Sequence, residues 1–467
     1  MSIPPPADSR TPPAPPEVYT RNSTDNHSPN TNMTPHPSIM QAVEQLGYRV
    51  TTGDVASKAG LELNLAERGL LALASDAGGH LQVAETGDIV YLFPKDFRAI
   101  LRNKYLQLQL KEWWEKVWRV LFYLIRISFG IALLLSILLI FLTIAVIIIT
   151  VNSSNRDSNN RNDSRSSGGG IIFVPNFWFG PNWYWFLSWD YDSPHRHRQS
   201  QPREMNFLEA VYSFLFGDGN PNADLEERRW QEIATVIRNS KGAVVAEQIA
   251  PYLDELGEGY AKEYEEYMLP VLTRFNGRPE VSPEGQIVYH FPDLQTAAQT
   301  RKSQPVSPYL QEIPRRFSRA TSGQLMLAAG LGILNFVGGL VLGSLLKDST
   351  VAAQLGGLVA FTQSIYWLLL GYGTAFLAVP LIRYFWQQWR NRKIEARNQT
   401  RQERADILTQ PDEQLQKKLE FARRFAAERI IGSEDLAYTT ETDLIEQEMQ
   451  QSAKIDAEWQ RRLHPEI

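Results

Sequence analysis

Four oxygen-bearing side chains stand at alternate positions in the stretch GDGNPNADLEERRW, which begins at Gly217. These side chains belong to Asp218, Asn220, Asn222 and Asp224. Calcium loops space their ligands in this way, but they need a glycine at the sixth position and a bidentate glutamate at the twelfth. Because Ala223 and Arg229 occupy those two positions, the stretch predicts a turn followed by a helix instead of a metal site.

The sequence offers few histidine or cysteine side chains that could bind a metal or act in catalysis. His195 and His197 form the one close histidine pair, but it lies in a polar linker with no acidic cluster beside it. The chain has no cysteine, which excludes disulfides, thiolate metal sites and iron–sulfur clusters held by its own thiolates. The sequence contains no nucleotide-binding loop, nucleophile elbow or zinc-protease helix. We therefore expect no enzyme activity, no metal and no cofactor.

Two amides, Asn335 and Gln363, lie within long apolar stretches. Each needs a hydrogen-bond partner in lipid, and the other amide is the nearest candidate. Gly339 and Gly343 add a face of small residues that lets helices approach closely. Ionisable residues are absent from these stretches, whereas transporters usually need one. We expect these four residues to pack a helical hairpin, and a polar path for a small solute is the alternative.

Three uncharged stretches are long enough to cross a membrane. Ile127–Val151 has 25 residues, which make about 37 Å of helix against a hydrocarbon core of roughly 30 Å. Leu325–Leu346 and Leu358–Ile382 follow as a hairpin. The aromatic stretch Ile171–Trp189 is a fourth candidate, interrupted by proline and glycine, that either recrosses the membrane or lies on its surface. We expect an α-helical polytopic membrane protein with three to four membrane segments.

Lysine and arginine residues cluster before the first span and on both outer sides of the hairpin, which predicts that these ends face the cytoplasm. The chain must then recross the membrane between residues 152 and 300; otherwise the region near residue 206 faces the outside. We expect an inner membrane, of plasma or thylakoid type, with lipid as a partner.

A 16-residue stretch occurs twice. GHLQVAETGDIVYLFP starts at Gly79 and GRPEVSPEGQIVYHFP at Gly277, an offset of 198 with eight identities. Each copy reads as a two-stranded hairpin preceded by a helix, a short strand and two helices, the order of a winged helix. In the second copy the third helix is predicted over Tyr260–Phe275. The sequence therefore predicts two small α+β winged-helix-like modules.

Charge decides what such modules could bind. Residues 36–94 have a net charge of −4 and residues 206–300 a net charge of −9. Because affinity for DNA comes largely from cationic side chains that meet phosphates, we expect no nucleic acid as a partner. An acidic module fits a protein partner better, whether another molecule, the other copy or a second chain in a homo-oligomer.

Composition divides the chain into seven parts. A disordered tail (1–34) precedes the first winged-helix-like module and its linker helix (35–110). We call residues 35–110 the first module. An interface helix and the first span (111–151) lead to a polar loop with the aromatic segment (152–205). The second module (206–300) precedes the hairpin (320–385) and a charged helical tail with coiled-coil character (386–467). Within the tail, Gln414–Ile431 is predicted to be helical.

The stretches VYSFLFGDGNPNADLEERRW and AEQIAPYLDE resemble a family of uncharacterised membrane proteins of oxygenic photosynthetic bacteria, with counterparts in chloroplast envelopes. The resemblance covers roughly residues 36–430, and some members bear the label of iron–sulfur cluster biosynthesis proteins. It implies a membrane location but no mechanism. The matching motif residues are Phe216, Gly217, Asp218, Gly219 and Trp230.

These observations together predict an integral membrane scaffold or assembly factor whose acidic modules bind an unidentified protein. One alternative is a small-solute transporter or channel component built on the glycine-rich hairpin. Another is a membrane-tethered transcription regulator.

Overall fold

The structure is a computed structural model that describes residues 36–104, 106–154, 205–300, 303–347 and 356–449, with three single residues beyond them. The predicted tail over 1–34, most of the loop over 152–205, the segment Ile171–Trp189, and His195 and His197 lie outside this described part. The prediction of three long apolar helices with small antiparallel sheets is confirmed.

The first module has the predicted element order. Its elements are α1 (Pro37–Gln45), β1 (Arg49–Thr51), α2 (Thr52–Ala59), α3 (Leu63–Ala77), β2 (His80–Ala84) and β3 (Ile89–Leu92). The central strand β3 pairs antiparallel with β1 and β2, so that Tyr91 lies opposite both Val50 and Leu81. Helix α2 begins with a reciprocal cap in which Thr51 and Asp54 bond each other's backbone N–H. A fully buried core includes Val50, Leu70 and Leu73.

The second module repeats this order with a broken third helix. Its elements are α7 (Leu225–Asn239), β4 (Ala243–Val244), α8 (Ala246–Ile249), α9 (Tyr260–Glu263), α10 (Leu269–Phe275), β5 (Arg278–Val281) and β6 (Ile287–His290). Tyr289 lies opposite Val244 and Pro279. The prediction of one helix over Tyr260–Phe275 is wrong, because Glu265 takes a left-handed φ of 54° and Pro270 starts a new helix.

A helical bundle follows the first module. A short α4 (Phe97–Lys104) leads to the 49-residue α5 (Leu106–Ser154), and α6 (Phe207–Phe216) packs on it. After α11 (Pro292–Gln295) and β7 (Thr296–Ala297), the bundle continues with α12 (Ser322–Leu345), α13 (Gly357–Ser364) and the 44-residue α14 (Tyr366–Thr409). Helices α5, α12 and α14 are long and apolar enough to cross a membrane. The predicted span Leu358–Ile382 is divided at Ile365, between α13 and α14.

Helix α6 lies in the bundle, although its residues fall within the predicted range of the second module. Leu208 packs against Gly130 of α5, where no side chain would fit. Val211 and Leu215 share a buried cluster with Leu133 of α5 and Phe376 of α14. The apolar face of this helix therefore packs among the long helices.

The C-terminal tail combines one helix with two strands. These elements are α15 (Glu413–Arg423), β8 (Arg429–Ile430) and β9 (Leu436–Thr439). Strand β8 pairs in parallel with β7, and β9 pairs with the outer edge of β2. The predicted helix over Gln414–Ile431 therefore ends early, because its last residues form a strand. The part of the tail from α15 to β9 therefore packs across both modules.

Candidate functional site

The two modules meet at a buried ion pair. Arg238 of α7 places its Nη1 atom 2.8 Å from the Oδ1 atom of Asp54 in α2, whose side chain is fully buried. The other carboxylate oxygen of Asp54 accepts the N–H groups of Thr51 (3.0 Å) and Ala298 (3.1 Å). Arg238 also donates to the Ser57 hydroxyl at 3.0 Å. Asp54 thus caps its own helix and joins both modules.

A second contact at this joint involves the motif residue Trp230. The guanidinium of Arg274 lies 4.4 Å from the Trp230 ring centre and donates to the carbonyl oxygen of Gly60 in the first module. Burial lowers the pKa of Arg274, partly offset by the charges of Glu62 and Glu226. Trp230 therefore holds the arginine that reaches across the joint.

The joint also depends on one close backbone approach. A Cβ atom added at Gly53, in the first turn of α2, would lie 2.1 Å from the carbonyl oxygen of Asp293. This distance is far inside van der Waals contact, so only glycine fits at this position without a shift of the backbone. The start of α2 thus packs directly on α11.

The second module is joined to the long helix α14 by a cluster of arginine and acid side chains. Arg401 is 1 % exposed; its Nη2 atom contacts Asp254 and lies 2.9 Å from Glu312 Oε1. Arg397 donates two hydrogen bonds of 2.7 Å to the Glu312 carboxylate. Arg404 donates to the carbonyl oxygen of Leu253 at 2.8 Å. Three successive turns of α14 therefore bind the module and the segment that follows it.

The two carboxylates in this cluster are held in their charged form. Burial would raise the pKa of Asp254, but the hydrogen bonds and charges of Arg401 and Arg229 outweigh burial and lower that pKa. Burial would also raise the pKa of Glu312. The hydrogen bonds and charges of Arg397 and Arg401 outweigh burial, so the pKa of Glu312 is lowered as well. The cluster therefore depends on ionised carboxylates.

A lysine fastens the tail to the same module. Lys418 of α15 is buried, and its Nζ atom lies 2.9 Å from Glu247 and 2.6 Å from Glu265. The Tyr289 hydroxyl donates to Glu265 at 2.7 Å. Burial and this carboxylate raise the pKa of Tyr289. The repeated tyrosine of the second hairpin thus belongs to the contact between module and tail.

The motif Phe216-Gly217-Asp218-Gly219 lies at the end of the bundle where α6 ends. Asp218 accepts from the Ser213 hydroxyl at 2.7 Å and from the backbone N–H of Arg319 at 2.7 Å. It also forms an ion pair of 3.3 Å with Arg126 of α5. This predicted motif residue therefore ties α5 and α6 to the segment that precedes α12.

Gly217 and Phe216 support that contact. Gly217 has a φ of 81°, and a Cβ atom there would lie 2.1 Å from Nη1 of Arg383. Arg383, in α14, donates to the last carbonyl oxygens of α6 at Ser213 and Phe214. The Phe216 ring packs 5.0 Å from Phe129, whereas Gly219 has open space around it.

The amides of the bundle are not paired with each other. Asn335 accepts from the Ser136 hydroxyl of α5 at 2.9 Å, and its buried Nδ2 atom has no hydrogen-bond partner among the residues that the structure describes. Gln363 is exposed, and its neighbour Thr362 bonds Thr143 of α5 at 3.0 Å. The expected pairing of Asn335 with Gln363 is wrong, because the polar partners of the hairpin lie on α5.

A heptad pattern in α5 produces these contacts. Leu133, Ile140 and Ile147 are buried at seven-residue spacing. Ser136 and Thr143 follow three residues after the first two, on the adjoining stripe of the same face. This hydroxyl spacing was visible in the sequence and would have indicated the partners of Asn335 and Thr362.

Glycines on α12 allow α14 to approach. A Cβ atom at Gly343 would lie 2.0 Å from the Tyr366 hydroxyl, and one at Gly332 would lie 2.5 Å from the Phe376 ring. Gly339 faces Leu370 at an ordinary contact distance of 3.6 Å, whereas Gly330 has open space around it. Gly339 and Gly343 therefore both lie at the contact between α12 and α14.

An acidic and aromatic surface is exposed on the second module. The rings of Tyr260 and Tyr264 stack with centres 6.1 Å apart, and both side chains are exposed. Exposed carboxylates surround them in the chain, at Glu255, Glu258, Glu263 and Glu266. We call these six residues the tyrosine patch. Sequence reasoning placed the tyrosines in a regular helix and did not single them out.

Within the described residues, no group of three or more histidine and acidic side chains could hold a metal ion. A polar cavity of about 390 Å³ opens between the modules. Its lining includes Lys58, Glu232, Arg238 and Lys241, with small hydroxyl and amide side chains between them.

Comparison with known proteins finds one extensive similarity. The chain is 38 % identical over 438 residues to a protein of Arabidopsis thaliana described as "Uncharacterized protein At5g03900, chloroplastic". The alignment covers 91 % of this chain and 81 % of the Arabidopsis protein. No family model matches the sequence. No solved structure matches it.

Proposed function

Because the chain belongs to the same family as this chloroplastic Arabidopsis protein, we propose that it is a membrane scaffold or assembly factor of a photosynthetic cell. Its two acidic, winged-helix-like modules would bind a protein partner at an inner membrane of plasma or thylakoid type. The chloroplast location of the relative supports a membrane of that kind. The shared order of helices and strands in the two modules, each ending in a two-stranded hairpin, supports their duplication.

Membrane insertion is supported by the outward faces of the bundle. Large apolar side chains such as Leu138, Ile149, Trp367 and Ile382 are exposed there. So large an apolar surface would be unstable in water but is satisfied by lipid. Just beyond it, Arg390 and Lys393 stack on Trp386 and Trp389, as aromatic and basic residues do at a headgroup layer.

Both modules belong on one side of that membrane. Helix α5 leaves the first module and runs about 36 Å from Gly130 to Ser154. Yet Leu208, the second residue of α6, packs against Gly130 at the near end. The two described ends of the 155–204 gap are therefore a membrane thickness apart, and this separation supports a recrossing that brings the second module back to the cytoplasmic side.

The observation that carries the proposal is a continuous series of ion pairs that links the helical bundle to both modules. Arg401 contacts Asp254 and so binds the second module to α14, Arg238 binds that module to the first, and Lys418 adds the tail. In some proteins ion pairs with further hydrogen bonds are retained because they fix one arrangement, and we infer the same role for these pairs. A fixed display of two modules suits a scaffold, which must hold its partner in one orientation.

The tyrosine patch is the surface that we expect the partner to contact. Exposed aromatic side chains are enriched among residues that dominate binding energy. The surrounding carboxylates favour a basic partner and repel nucleic acid. A photo-crosslinking amino acid at Tyr260 or Tyr264 should therefore capture the same protein in native membranes, and the same probe at exposed Glu420 should not. The absence of any reproducible product at both tyrosines would refute this function.

Topology is tested in the same cysteine-free chain. Single cysteines at Lys95, Glu284 and Lys347 report on the first module, the second module and the hairpin turn. The first two should react with an impermeant maleimide from the cytoplasmic side alone, and the third from the opposite side. Labelling of Glu284→Cys together with Lys347→Cys would place the modules on different sides and exclude a paired scaffold.

One observation favours a second candidate, a path for a small solute. The Nδ2 atom of Asn335 is buried among the long helices and has no partner in the described part of the chain, and such a donor is costly in lipid. A solute or water with an acceptor atom would satisfy it. Solute flux into liposomes that is lost in Asn335→Leu would support this function, whereas flux equal to that of empty liposomes would remove it.

A further inference from the structure

The outer edge of β2 in the first module is closed by a strand from the far end of the chain. Strand β9 pairs antiparallel with it, with Val83 opposite Tyr438. The N–H of Leu81 donates to the Thr440 hydroxyl and its carbonyl accepts the Thr440 N–H, both at 2.9 Å. The N–H of Glu85 donates to the carbonyl of Asp435 at 2.9 Å. Residues 81 and 85 thus direct their N–H groups outward.

Among the described residues, strand β9 is held mainly by its paired backbone, and His80 adds a contact of 3.2 Å from Nδ1 to the carbonyl oxygen of Thr440. Tyr438 is exposed, and Leu436 is half-buried against the small cluster of Ala84, Val90, Ala298 and Ile431. Burial of one half-exposed leucine contributes about 1 kcal/mol or less. The paired edge therefore provides most of the affinity, as in strand addition by extended peptides.

The equivalent edge of the second module lacks these donors. Strand β5 lies at the end of its sheet in the described part of the chain. The offset of 198 aligns Pro279 with Leu81 and Pro283 with Glu85. Because the Ser282 N–H points inward to Gln286, both prolines stand at outward positions, where they provide no N–H. Proline at such positions blocks edge pairing.

We propose that the outer edge of β2 is a strand-docking site, occupied in cis by β9 and exchangeable for an extended segment of a partner protein. The matching strand carries serine or threonine at the place of Thr440, to accept the Leu81 N–H. The second module is excluded from this role by its two prolines. This proposal names a second contact for the partner and so rests on the scaffold function, but its test needs no partner.

The test uses the full chain and a labelled synthetic peptide of residues 432–447. In the open variant, Leu436→Pro removes the apolar contact of β9 and Thr440→Pro removes the N–H that donates to Leu81. Strand β9 should then leave the edge of β2 unpaired. The peptide should bind this variant at least tenfold more tightly than the unaltered chain, measured by fluorescence anisotropy in detergent. Equal binding to both chains, or none to the open variant, would overturn the proposal.

Peptide variants provide controls that leave the protein untouched. A peptide with Thr440→Pro should bind the open variant at least tenfold more weakly, because it cannot donate to Leu81. A peptide with Ser433→Pro, outside the paired residues, should bind as the unaltered peptide does. If the two changed peptides bind alike, edge pairing is not the basis of recognition. If the peptide does not bind the open variant while crosslinks at the tyrosine patch persist, the docking site is rejected and the proposed scaffold function is retained.

Discussion

Arg238 of the second module lies 2.8 Å from Asp54 of the first, and the Asp54 side chain is fully buried. The structure thus places one charged pair at the boundary between two copies of a repeated pattern. A buried carboxylate that loses a cationic partner is left with less compensation for its charge, so this pair stabilises the contact between the modules.

Arg238→Gln should lower the free energy of unfolding by about 3–5 kcal/mol, the usual cost of breaking a buried ion pair from one side. The measurement is denaturant unfolding of the detergent-solubilised protein. Arg228→Gln is the matched control on the same helix, because its partner Asp224 is 59 % exposed and 3.5 Å away. Such surface pairs contribute about 0–1 kcal/mol. Equal effects of the two substitutions would contradict the buried joint.

The attachment of the second module to α14 should weaken in acid. The pKa values of Asp254 and Glu312 are lowered in the folded protein. Their contribution is complete above the ordinary carboxyl pKa of about 4 and is lost as the pH falls through their lower folded values. Thermal unfolding from pH 7 to pH 3 should show this loss. Asp254→Asn with Glu312→Gln should reduce stability at pH 7 and flatten the profile below pH 4.

Gly53→Ala should separate the modules without unfolding either one. The new methyl group would meet the carbonyl oxygen of Asp293, a backbone atom that cannot rotate away. Overpacking of this kind costs about 1–3 kcal/mol, all of it at the joint. Crosslinking between cysteines at Lys58 and Thr235, which line the cavity between the modules, reports on pairing. Gly330→Ala, with open space around it, should leave the crosslink unchanged.

Gly343→Leu should disrupt the contact between α12 and α14, because its Cβ atom would overlap the Tyr366 hydroxyl. Gly330→Leu introduces the same side chain on the same helix into open space and should be tolerated in lipid. Thermal stability in nanodiscs distinguishes the two. A similar fall in both variants would mean that helix propensity, and not close packing, is the reason for glycine on α12.

The sequence predicted well those elements whose signals are local. Both hairpins, with their glycine turns, follow from short-range rules, and the long apolar helices follow from composition. The break in the third helix of the second module was not predictable in this way, since Glu265 adopts its left-handed conformation where its carboxylate meets Lys418, far away in the chain.

Long-range contacts account for most of what sequence reasoning missed. Asp218 stood out by its spacing, but its partners Arg126 and Arg319 come from two other parts of the chain. The helix after Gln414 was predicted as charged, and the sequence alone does not show which of its charged side chains are exposed and which are buried. Only the position of Glu247 and Glu265 shows that Lys418 is an internal contact.

The pairing of β2 with β9 also means that the first module cannot complete its sheet until late in its synthesis. A ribosome makes β9 roughly 350 residues after β2, which at about 5–20 residues per second is a delay of tens of seconds. During that time the nascent first module has an unsealed edge whose N–H groups at Leu81 and Glu85 can join any extended chain nearby. Chaperone demand should therefore be highest before the last residues emerge, and C-terminal truncation should cause aggregation that starts at the N-terminal module.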